Sequence, residues 1–514
     1  MNWRRDHDGP PHLGRALVLR AGLAAVLVIA LSATAVAATV ILEVNHVKNE
    51  FLQNGRQAIS IPEVTPAQAG GPRTILLLGS DQRFQDKQLG LKPRSDTMLL
   101  ARVNPAANAI SVLSIPRDLK ADIPGYGSDK INAAFEDGGP RLTVRTIQQL
   151  FKGVTGKPFP INNVLVVNFG SFRKAVDYIH GVYVDVDRRY YNDNSGPDKY
   201  ATIDIQPGYQ KLMGQDALDF VRFRHTDNDI VRAARQQDFL RQARNAAGVR
   251  KLLSVSDRDK LARVFSRYFQ FDKSFLNTKQ IFSLLKLGLF VAQRHPAVRE
   301  VHFPFYEAAD PALDTRLYFH DAQLKKAVNE FMTSKGSARP RTQSTPTPAD
   351  IAAQKARRKL KHNPSAPIAG LEAARTEGEN QAVLAQPKLK FPLYFPTLRY
   401  QGSAYAGEAP RIYTIRDETG KRHKAYRLVL AKGVIGEYYG VQGMSWKDPP
   451  LLDNPDEIKF VGGRRLQIYR DGKRVRIVAW RTPKAVYWVS NTLTQSLSRA
   501  QMVGVAGSLS KLKG

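Results

Sequence analysis

The stretch TILLLGSD, residues 74–81, decides the fold of the central part of this chain. A short apolar run that ends at a glycine is typical of a buried strand. Similar runs predict strands at 98–103, 109–115, 164–169, 182–186 and 298–305. Apolar residues at helical spacing predict helices at 141–152, 214–224, 232–247 and 278–294, and Ser171 is the expected cap of a further helix. Buried strands interleaved with helices predict an α/β layered sandwich, in which helices flank a central sheet, over residues 73–333.

The composition sets broad limits on the partners of this chain. Its 514 residues include 77 lysines and arginines against 46 acids, for a net charge of +31. This excess favours an anionic partner such as nucleic acid, acidic lipid or a phosphate-bearing polymer, although an arginine-rich background composition explains it equally well. The chain has no cysteine, which excludes disulfide scaffolds, thiolate zinc sites and cysteine nucleophiles.

An apolar segment near the start, AGLAAVLVIALSATAVAATVIL at residues 21–42, has no charged residue and is long enough to cross a bilayer. Residues 1–20 carry four arginines, so we expect them to stay cytoplasmic and the remaining chain to lie outside the cell membrane. The alternative is a cleaved signal peptide, with its cleavage site at 35–37. The apolar run continues past that site to Leu42, which favours a single-pass anchor, and either topology disfavours DNA binding.

Two connectors and a second folded unit complete the predicted organisation. Residues 43–72 and 334–388 are rich in proline, small or basic residues, which indicates a tether and a linker. Residues 389–514 predict a small β-rich α+β module, with hairpin turns near Gly420 and Gly472 and a closing helix capped by Ser498. The tryptophans of this module suit either sugar stacking or core packing.

Acids and arginines gather where the predicted strands begin and end. Asp81 directly follows the first strand, and Arg94 and Asp96 precede the second. Arg117 follows the third. Ligands of open α/β sheets bind in the crevice beyond the strand ends. Two carboxylates with several guanidinium groups suit a magnesium-bound pyrophosphate, because Mg²⁺ takes one or two carboxylates plus phosphate oxygens, and arginine binds the remaining oxygens. The motifs of P-loop enzymes, zinc proteases and serine hydrolases are missing.

Seven short stretches between residues 73 and 250 occur in the order found in one enzyme family. They are ILLLGSDQR (75–83), RSDTMLL (94–100), LSIPRD (113–118), KINAAF (130–135), VVNFGSF (166–172), LMGQDALDFVRFRH (212–225) and D-x-x-RAARQQ (229–237). Together they resemble the LytR-CpsA-Psr family of cell-wall phosphotransferases. The resemblance implies an α/β sandwich whose pocket holds a polyprenyl-pyrophosphate-linked glycan, together with a single-pass anchor and an external catalytic domain.

The resemblance also implies roles for individual residues. Asp81 and Asp96 would bind Mg²⁺, or Mn²⁺, and with Arg117 and Asp229 they form the predicted catalytic set. The residues expected to bind the pyrophosphate are Arg83, Arg94, Arg117, Arg222, Arg224, Arg232, Arg235 and Gln236. Lys130 and Asn132 lie in a family motif, for which a structural role is an equal alternative. The pairs Asp219-Phe220 and Ile230-Val231 depart from the Ala-Tyr and Phe-Gly that are common in the family.

The implied reaction is the transfer of a glycan phosphate to a peptidoglycan hydroxyl, which attacks the glycan-side phosphorus so that polyprenyl phosphate leaves. Asp229 or Asp227 would accept the hydroxyl proton, unless these acids cap a helix or pair with arginines. A lipid-pyrophosphate hydrolase with the same site is one alternative function. A non-catalytic wall-binding or regulatory protein is the other, and nucleic acid is not an expected partner.

Three local arrangements depend on secondary structure. A helix over 232–245 would place Arg232, Arg235 and Gln236 on one face. Arg222 and Arg224 share a face only if their segment is extended, and the sequence leaves helix and strand open there. The apolar stretch 275–294 suits either a groove for a lipid tail or an ordinary core helix.

Overall fold

The computed structural model describes residues 49, 53, 58–68, 70–80, 93, 95–195, 201–223, 229–244, 266–294, 296–310, 313–334, 368–407, 409–433 and 436–512. The strands of its first half are β1 (Ala58–Ile59), β2 (Arg73–Ser80), β3 (Ser95–Asn104), β4 (Ala109–Ile115), β5 (Lys120–Ile123), β6 (Gly127–Lys130), β7 (Asn163–Asn168), β8 (Val182–Val186), β9 (Tyr190–Asn192), β10 (Ile203–Ile205), β11 (Gly208–Leu212), β12 (Gln270–Asp272), β13 (Ala297–Val301), β14 (Tyr306–Glu307) and β15 (Leu317–Tyr318). The helices of this half are α1 (Ala133–Thr155), α2 (Phe169–Tyr178), α3 (Gly214–Arg222), α4 (Asp229–Arg244), α5 (Thr278–Arg294) and α6 (Asp321–Thr333), with a 3₁₀ turn at Lys273–Leu276.

The described residues of the first half form a seven-stranded mixed sheet in the order β1-β12-β7-β2-β3-β4-β13. β2 lies near its centre, parallel to β7 and antiparallel to β3. Leu76 and Leu78 of β2 pack in one core with α1 and α6, and Ile75 and Leu77 pack in another with α5. This mixed α/β sheet, with helices on both faces, confirms the predicted fold class at that level. The packing of α5 also agrees with an ordinary core helix.

The helices differ from the predictions mainly at their ends. α1 begins at Ala133 rather than near 141 and runs through a kink at Gly138 and Gly139. α2 begins at Phe169, and its cap is Asn168, whose side chain accepts a hydrogen bond from the backbone N–H of Ser171. The prediction of Ser171 as the cap is therefore wrong, because Asn168 is itself a strong capping residue and stands where the strand ends.

The N-terminal region is only partly described. Residues 1–20 and the apolar segment 21–42 lie outside the described residues, and within the described ranges no helix has the length and apolar character needed to span a bilayer. The end of the predicted tether belongs to the folded domain. β1 pairs with β12, and Ile61 is buried in the core under the sheet.

The second half of the described chain, residues 368–512, is called the C-terminal module below. Its strands are β16 (Leu371–Ala373), β17 (Tyr394–Phe395), β18 (Leu398–Tyr400), β19 (Ala404–Tyr405), β20 (Arg411–Arg416), β21 (Arg422–Ala431), β22 (Tyr438–Met444), β23 (Glu457–Val461), β24 (Arg464–Asp471), β25 (Arg474–Arg481), β26 (Val486–Ser490) and β27 (Ser510–Lys511). Its helices are α7 (Arg375–Ala385) and α8 (Arg499–Ser508), with 3₁₀ turns at Gln386–Lys388 and Pro450–Leu452.

An antiparallel sheet in the order β19-β21-β22-β26-β25-β24-β23, with β20 paired to β21, is the centre of the C-terminal module. The turns predicted near Gly420 and Gly472 join β20 to β21 and β24 to β25. Ser498 caps α8 in a capping box, as predicted. Trp480 and Trp488 are buried in the cores of the module, which favours core packing over sugar stacking for these two.

The C-terminal module begins before the predicted boundary at 389. β16 and α7 lie inside the segment 334–388 that the composition indicates as a linker. α7 lacks an apolar stripe because the residues it buries are small: Gly378, Ala382 and Ala385. A Cβ at position 378 would lie 2.5 Å from the Phe395 ring, so this close packing requires glycine. A prediction based on composition therefore misses this helix.

Candidate active site at the strand ends

Three strands of the central sheet meet at the edge where the sequence predicts the site. Ser80, the last residue of β2, pairs with Ser95 of β3 on one side and with Asn168 of β7 on the other. The end of β4 follows beside β3, and Arg117 lies two residues beyond it. Asp81 directly follows Ser80 in the sequence and lies outside the described residues. The strand ends thus lie together at the part of an α/β sheet where ligands usually bind.

A register shift marks the position of Asp96. Gly79 pairs with Thr97, whereas the next residue, Ser80, pairs with Ser95, so the backbone of Asp96 is the extra residue of a bulge. The sequence predicts that Asp96 precedes this strand, whereas the structure places the backbone of Asp96 within β3. Bulges bend a strand and re-aim side chains, and they are frequent beside active sites. A Cβ at Gly79 would lie 2.9 Å from the Cβ of Thr97, so glycine permits this pairing.

Gln236 of α4 ties the bulged strand to the end of α3. Its Nε2 donates hydrogen bonds to Thr97 Oγ1 at 3.2 Å and to the carbonyl of Val221 at 3.2 Å. Thr97 directly follows Asp96, and Val221 directly precedes Arg222. One amide therefore fixes the spacing between two segments that carry predicted site residues.

Arg222 is the last residue of α3, and an acidic partner holds it. Its Nε and Nη2 donate to Asp219 Oδ1 at 2.9 and 2.6 Å, and Gln215 donates to both oxygens of Asp219 at 2.9 Å. The guanidinium carbon lies 5.5 Å from the centre of the Phe169 ring, beside the end of β7. The Arg222 side chain keeps 18% of its surface exposed at the strand ends, and its pair with Asp219 fixes its orientation. Asp219, a departure from the family pattern, is thus the residue that orients Arg222.

Arg117 is held in a similar way. Its Nε lies 3.1 Å from Asp118 Oδ2, and Lys130 Nζ lies 3.0 Å from the other oxygen, Oδ1. Burial by itself raises the pKa of Asp118, but the two cations outweigh burial and hold that pKa below its ordinary value. Lys130 therefore stabilises the carboxylate that orients Arg117. Asn132 donates its backbone N–H to the carbonyl of Arg117 at 3.1 Å, which supports a structural role for this position.

Arg232 and Arg235, the arginines of α4 that the sequence predicts for the site, are buried more deeply than a solvent-facing pocket would require. Arg235 is fully buried, donates to the carbonyl of Phe223, and has its guanidinium 4.8 Å from the centre of the Tyr190 ring. Arg232 is also buried. Phe223 stands between Arg222 and Arg224 in the sequence, so Arg235 fixes the backbone there. We infer a supporting position for Arg235, while its predicted direct contact with pyrophosphate stays a prediction.

Several predicted residues lie outside the described residues: Asp81, Arg83, Arg94, Arg224 and Asp227. Only the backbone is described for Asp96 and for Asp229, which is the first residue of α4. In the described ranges, no group of three or more histidines or acids could hold a metal ion. The assignment of Asp81 and Asp96 as metal ligands accordingly remains a prediction.

Sequence reasoning missed Thr97, Gln215 and the role of Asp219. Thr97 is a polar residue at the start of an apolar strand, and this is the one signal by which it could have been found. Gln215 and Asp219 are four residues apart on α3, as are side chains that meet on one helix face. The contacts of α4 with the C-terminal module were also missed, since they join residues that are far apart in the sequence.

Comparison with known proteins gives one family and several relatives. A profile described as the LytR_cpsA_psr family matches residues 36–328. The polyisoprenyl-teichoic acid–peptidoglycan teichoic acid transferase TagT of Bacillus subtilis (strain 168) is 34% identical over 224 residues, 43% of this chain and 66% of the relative. The transferase of the corresponding name, TagU, from Oceanobacillus iheyensis is 36% identical over 181 residues, 34% of this chain and 51% of the relative.

Among solved structures, that of TagT from B. subtilis has 24% sequence identity and a TM-score of 0.40, and the match covers 54% of this chain and 98% of that one. The chain spans about half to two thirds of the length of the two curated relatives, at 51% and 66%. The C-terminal module lies beyond the family match, which ends at residue 328.

Proposed function

The chain belongs to the LytR_cpsA_psr family, and on that premise we propose that it transfers a glycan phosphate from a polyprenyl-pyrophosphate carrier to a hydroxyl of peptidoglycan. The observation that carries the proposal is the meeting of Arg222, Gln236 and the bulge at Asp96 beside the ends of β2 and β7. The names of the curated relatives, which are transferases between a polyisoprenyl-linked teichoic acid and peptidoglycan, support the same chemistry.

The chemistry requires cations that are oriented before the substrate arrives. Arg222 and Arg117 each have a carboxylate that fixes the guanidinium, so they can bind phosphate oxygens with little loss of side-chain freedom. The acceptor hydroxyl attacks the glycan-side phosphorus, a new P–O bond forms, and the bond to the bridging oxygen breaks. Polyprenyl phosphate leaves with that oxygen. The hydroxyl proton passes to a carboxylate, for which Asp229 at the start of α4 is the candidate.

Asp81 and Asp96 are the residues that would hold a divalent cation. Ser80, which precedes Asp81 in the sequence, pairs with Ser95, and the bulge sets the backbone of Asp96 beside this pair. Carboxylates are suitable ligands for Mg²⁺ or Mn²⁺, which supports the proposal. Asp118 is unsuitable, because Arg117 and Lys130 already occupy both of its oxygens. When bound, the cation would offset the negative charge of the pyrophosphate.

The membrane topology follows from the same proposal. A polyprenyl carrier stays in the bilayer, so an enzyme that acts on it benefits from an anchor. The apolar segment 21–42 would supply this anchor, with residues 1–20 in the cytoplasm and the catalytic domain outside.

A transfer assay with the full-length protein in detergent tests the proposal. It contains a polyprenyl-pyrophosphate-linked glycan, Mg²⁺ and a peptidoglycan acceptor, and it follows glycan phosphate on the acceptor together with released polyprenyl phosphate. We expect equal amounts of both products. Release of polyprenyl phosphate without any acceptor would favour the hydrolase instead, and the lack of both products would contradict the enzymatic proposal.

The metal assignment has its own test in the same assay. The double variant Asp81→Ala/Asp96→Ala should lose activity, and added Mg²⁺ should not restore it. The matched control is Asp122→Ala, which removes an exposed carboxylate of β5 and should transfer at the wild-type rate. Equal activity of the double variant and the control would overturn the assignment.

A further inference from the structure

The C-terminal module contacts α4 near both ends of the helix. The first half of α4 contains Arg232, Arg235 and Gln236 of the candidate site. The second half contains Asp238 and Arg241, which are buried against other parts of the chain. The same helix therefore joins the candidate site to a region that the family match does not cover.

At the C-terminal end of α4, Arg241 is the centre of a buried ionic cluster. Its Nη1 lies 2.9 Å from Asp238 and its Nη2 lies 2.8 Å from Asp471 of β24, and it also pairs with Glu300 of β13. Asp471 accepts the backbone N–H of Glu300 at 3.2 Å. A carboxylate of the C-terminal module thus connects the helix to the edge strand of the central sheet.

The next residue of α4 extends this connection. Gln242 accepts the backbone N–H of Asp185 at 2.9 Å. The carboxylate of Asp185 in turn accepts from Arg427 Nη1 at 3.1 Å and from Trp488 Nε1 at 3.0 Å, both in the C-terminal module. All of these groups are buried, so each hydrogen bond would be costly to lose.

At the N-terminal end of α4, the contact is steric. Gly436, in the turn before β22, has φ +77°, and a Cβ there would lie 2.6 Å from Val231 Cγ2. Val231 directly precedes Arg232 and is itself buried. The module therefore presents bare backbone to the first turn of the helix, and any added atom would press on that turn.

α4 depends on such external contacts because it has no simple apolar face. Six of its polar residues are buried: Arg232, Arg235, Gln237, Asp238, Arg241 and Gln242. A helix that buries polar groups must find partners for them, since burial without a hydrogen bond is unfavourable. For the second half of α4, the C-terminal module and β13 supply these partners.

We propose that the C-terminal module is a positioning element of the active site, which keeps α4 in its place against β3 and α3. Gly436 and Asp471 are its positioning residues, and Gln236 and Arg235 are the groups whose placement they determine. This inference rests on the proposed function for the identity of the substrate. It predicts that small changes in the module alter use of the pyrophosphate donor without unfolding the chain.

Gly436→Ala in the full-length protein tests the proposal, with Gly463→Ala as the matched control. Gly463 lies in the turn between β23 and β24 of the same module and has φ +78°, and a Cβ there would meet no other atom within 4 Å. Both variants place alanine at a left-handed φ, +77° and +78°, which disfavours an L residue at either position. Only Gly436→Ala also presses on Val231, so the comparison separates displacement of α4 from general strain.

The measured quantities are binding of a short-chain polyprenyl pyrophosphate, kcat and KM for the lipid-linked donor, and hydrogen exchange of residues 229–244. We expect Gly436→Ala to lower kcat/KM by at least about tenfold and to weaken binding, since a misplacement of about 1 Å can cost on the order of 100-fold. Exchange in α4 should rise. Gly463→Ala should match the wild type in all three, and the acceptor KM should be unchanged throughout.

A compensating change provides the rescue. Val231→Ala removes the two methyl groups nearest to position 436, so Gly436→Ala/Val231→Ala should recover donor binding and most of the activity. Equal donor binding by Gly436→Ala and Gly463→Ala, or no recovery in the double variant, would overturn the positioning role. Failure of the wild-type protein to bind the pyrophosphate at all would instead contradict the proposed function.

Discussion

Arg222 and Arg241 are both paired with aspartate, but their surroundings give them different roles. Among the described residues, Arg222 has one acidic partner, Asp219, and its side chain retains 18% exposure at the strand ends. Arg241 is 8% exposed and lies among three acids from α4, β13 and β24. The first cation is oriented and still accessible to a phosphate, whereas the second is committed to holding the chain together. The number of described acidic partners and the exposed fraction of the side chain thus separate the two arginines: Arg241 is structural, and Arg222 stays a predicted phosphate-binding residue.

The largest expected effect in this comparison is on stability. Arg241→Met should lower the free energy of unfolding by about 3–5 kcal/mol, because it leaves buried carboxylates without their cation. Urea denaturation of the full-length protein measures the change. A loss below about 1 kcal/mol would contradict the structural role, since that is the range of an exposed ion pair.

The second effect is on activity. Arg222→Lys keeps the charge but removes the planar fork, so kcat/KM for the donor should fall by about 10- to 100-fold with little change in stability. Transfer kinetics and thermal unfolding of the same preparation measure both quantities. Arg189→Lys is the control, since Arg189 forms an exposed two-pronged pair with Asp204 of β10 and is not one of the predicted site residues. Equal kinetics for both variants would remove Arg222 from the site.

The third effect concerns pH. Burial, with Asp471 and Asp238 nearby, raises the pKa of Glu300 to about 8, although Arg241 opposes the shift. The folded state then binds a proton that the unfolded state releases, so stability should fall as the pH rises from about 4.5 to about 8. Glu300→Gln should remove this part of the pH dependence and be more stable than the wild type above pH 8 by at least about 1 kcal/mol. Parallel stability curves for the two proteins would contradict the raised pKa.

The smallest effect is expected at Lys130, whose side chain is 30% exposed. Lys130→Gln should lower the free energy of unfolding by less than about 1 kcal/mol. It should lower kcat/KM for the donor by less than about fivefold, which is the same free energy, because Arg117 still pairs with Asp118. Chemical denaturation and donor kinetics measure the two changes. A loss as large as that of Arg222→Lys would instead give Lys130 a direct contact with the substrate.

The central fold followed from local pattern. The apolar run at 74–79 became β2, the run at 109–115 became β4, and the helix at 278–294 was found with the predicted bounds. Ser171 was misassigned because Asn168, three residues earlier, is an equally good cap. α7 was missed because it buries only small residues and so has no apolar stripe to detect.

For the candidate site, the sequence predicted acids and arginines at the strand ends, since a short apolar strand carries its terminal residues there. Of these, the structure describes Arg117 just beyond β4 and the backbone of Asp96 in β3. It did not supply the bulge at Asp96, which is a matter of register between β2 and β3. Nor did it supply the pair of Thr97 with Gln236, whose residues are 139 apart.

The sequence by itself determined the main strands of the central sheet, the helix 278–294 and the order of charged residues along them, because periodicity and chain breaks act over a few residues. Only the tertiary structure decided which arginines are accessible and which are buried, and that α4 lies between the central sheet and the C-terminal module. The bond from Arg241 to Asp471 joins residues 230 apart. No local period encodes such a pair, because its free energy depends on the burial that the whole fold creates.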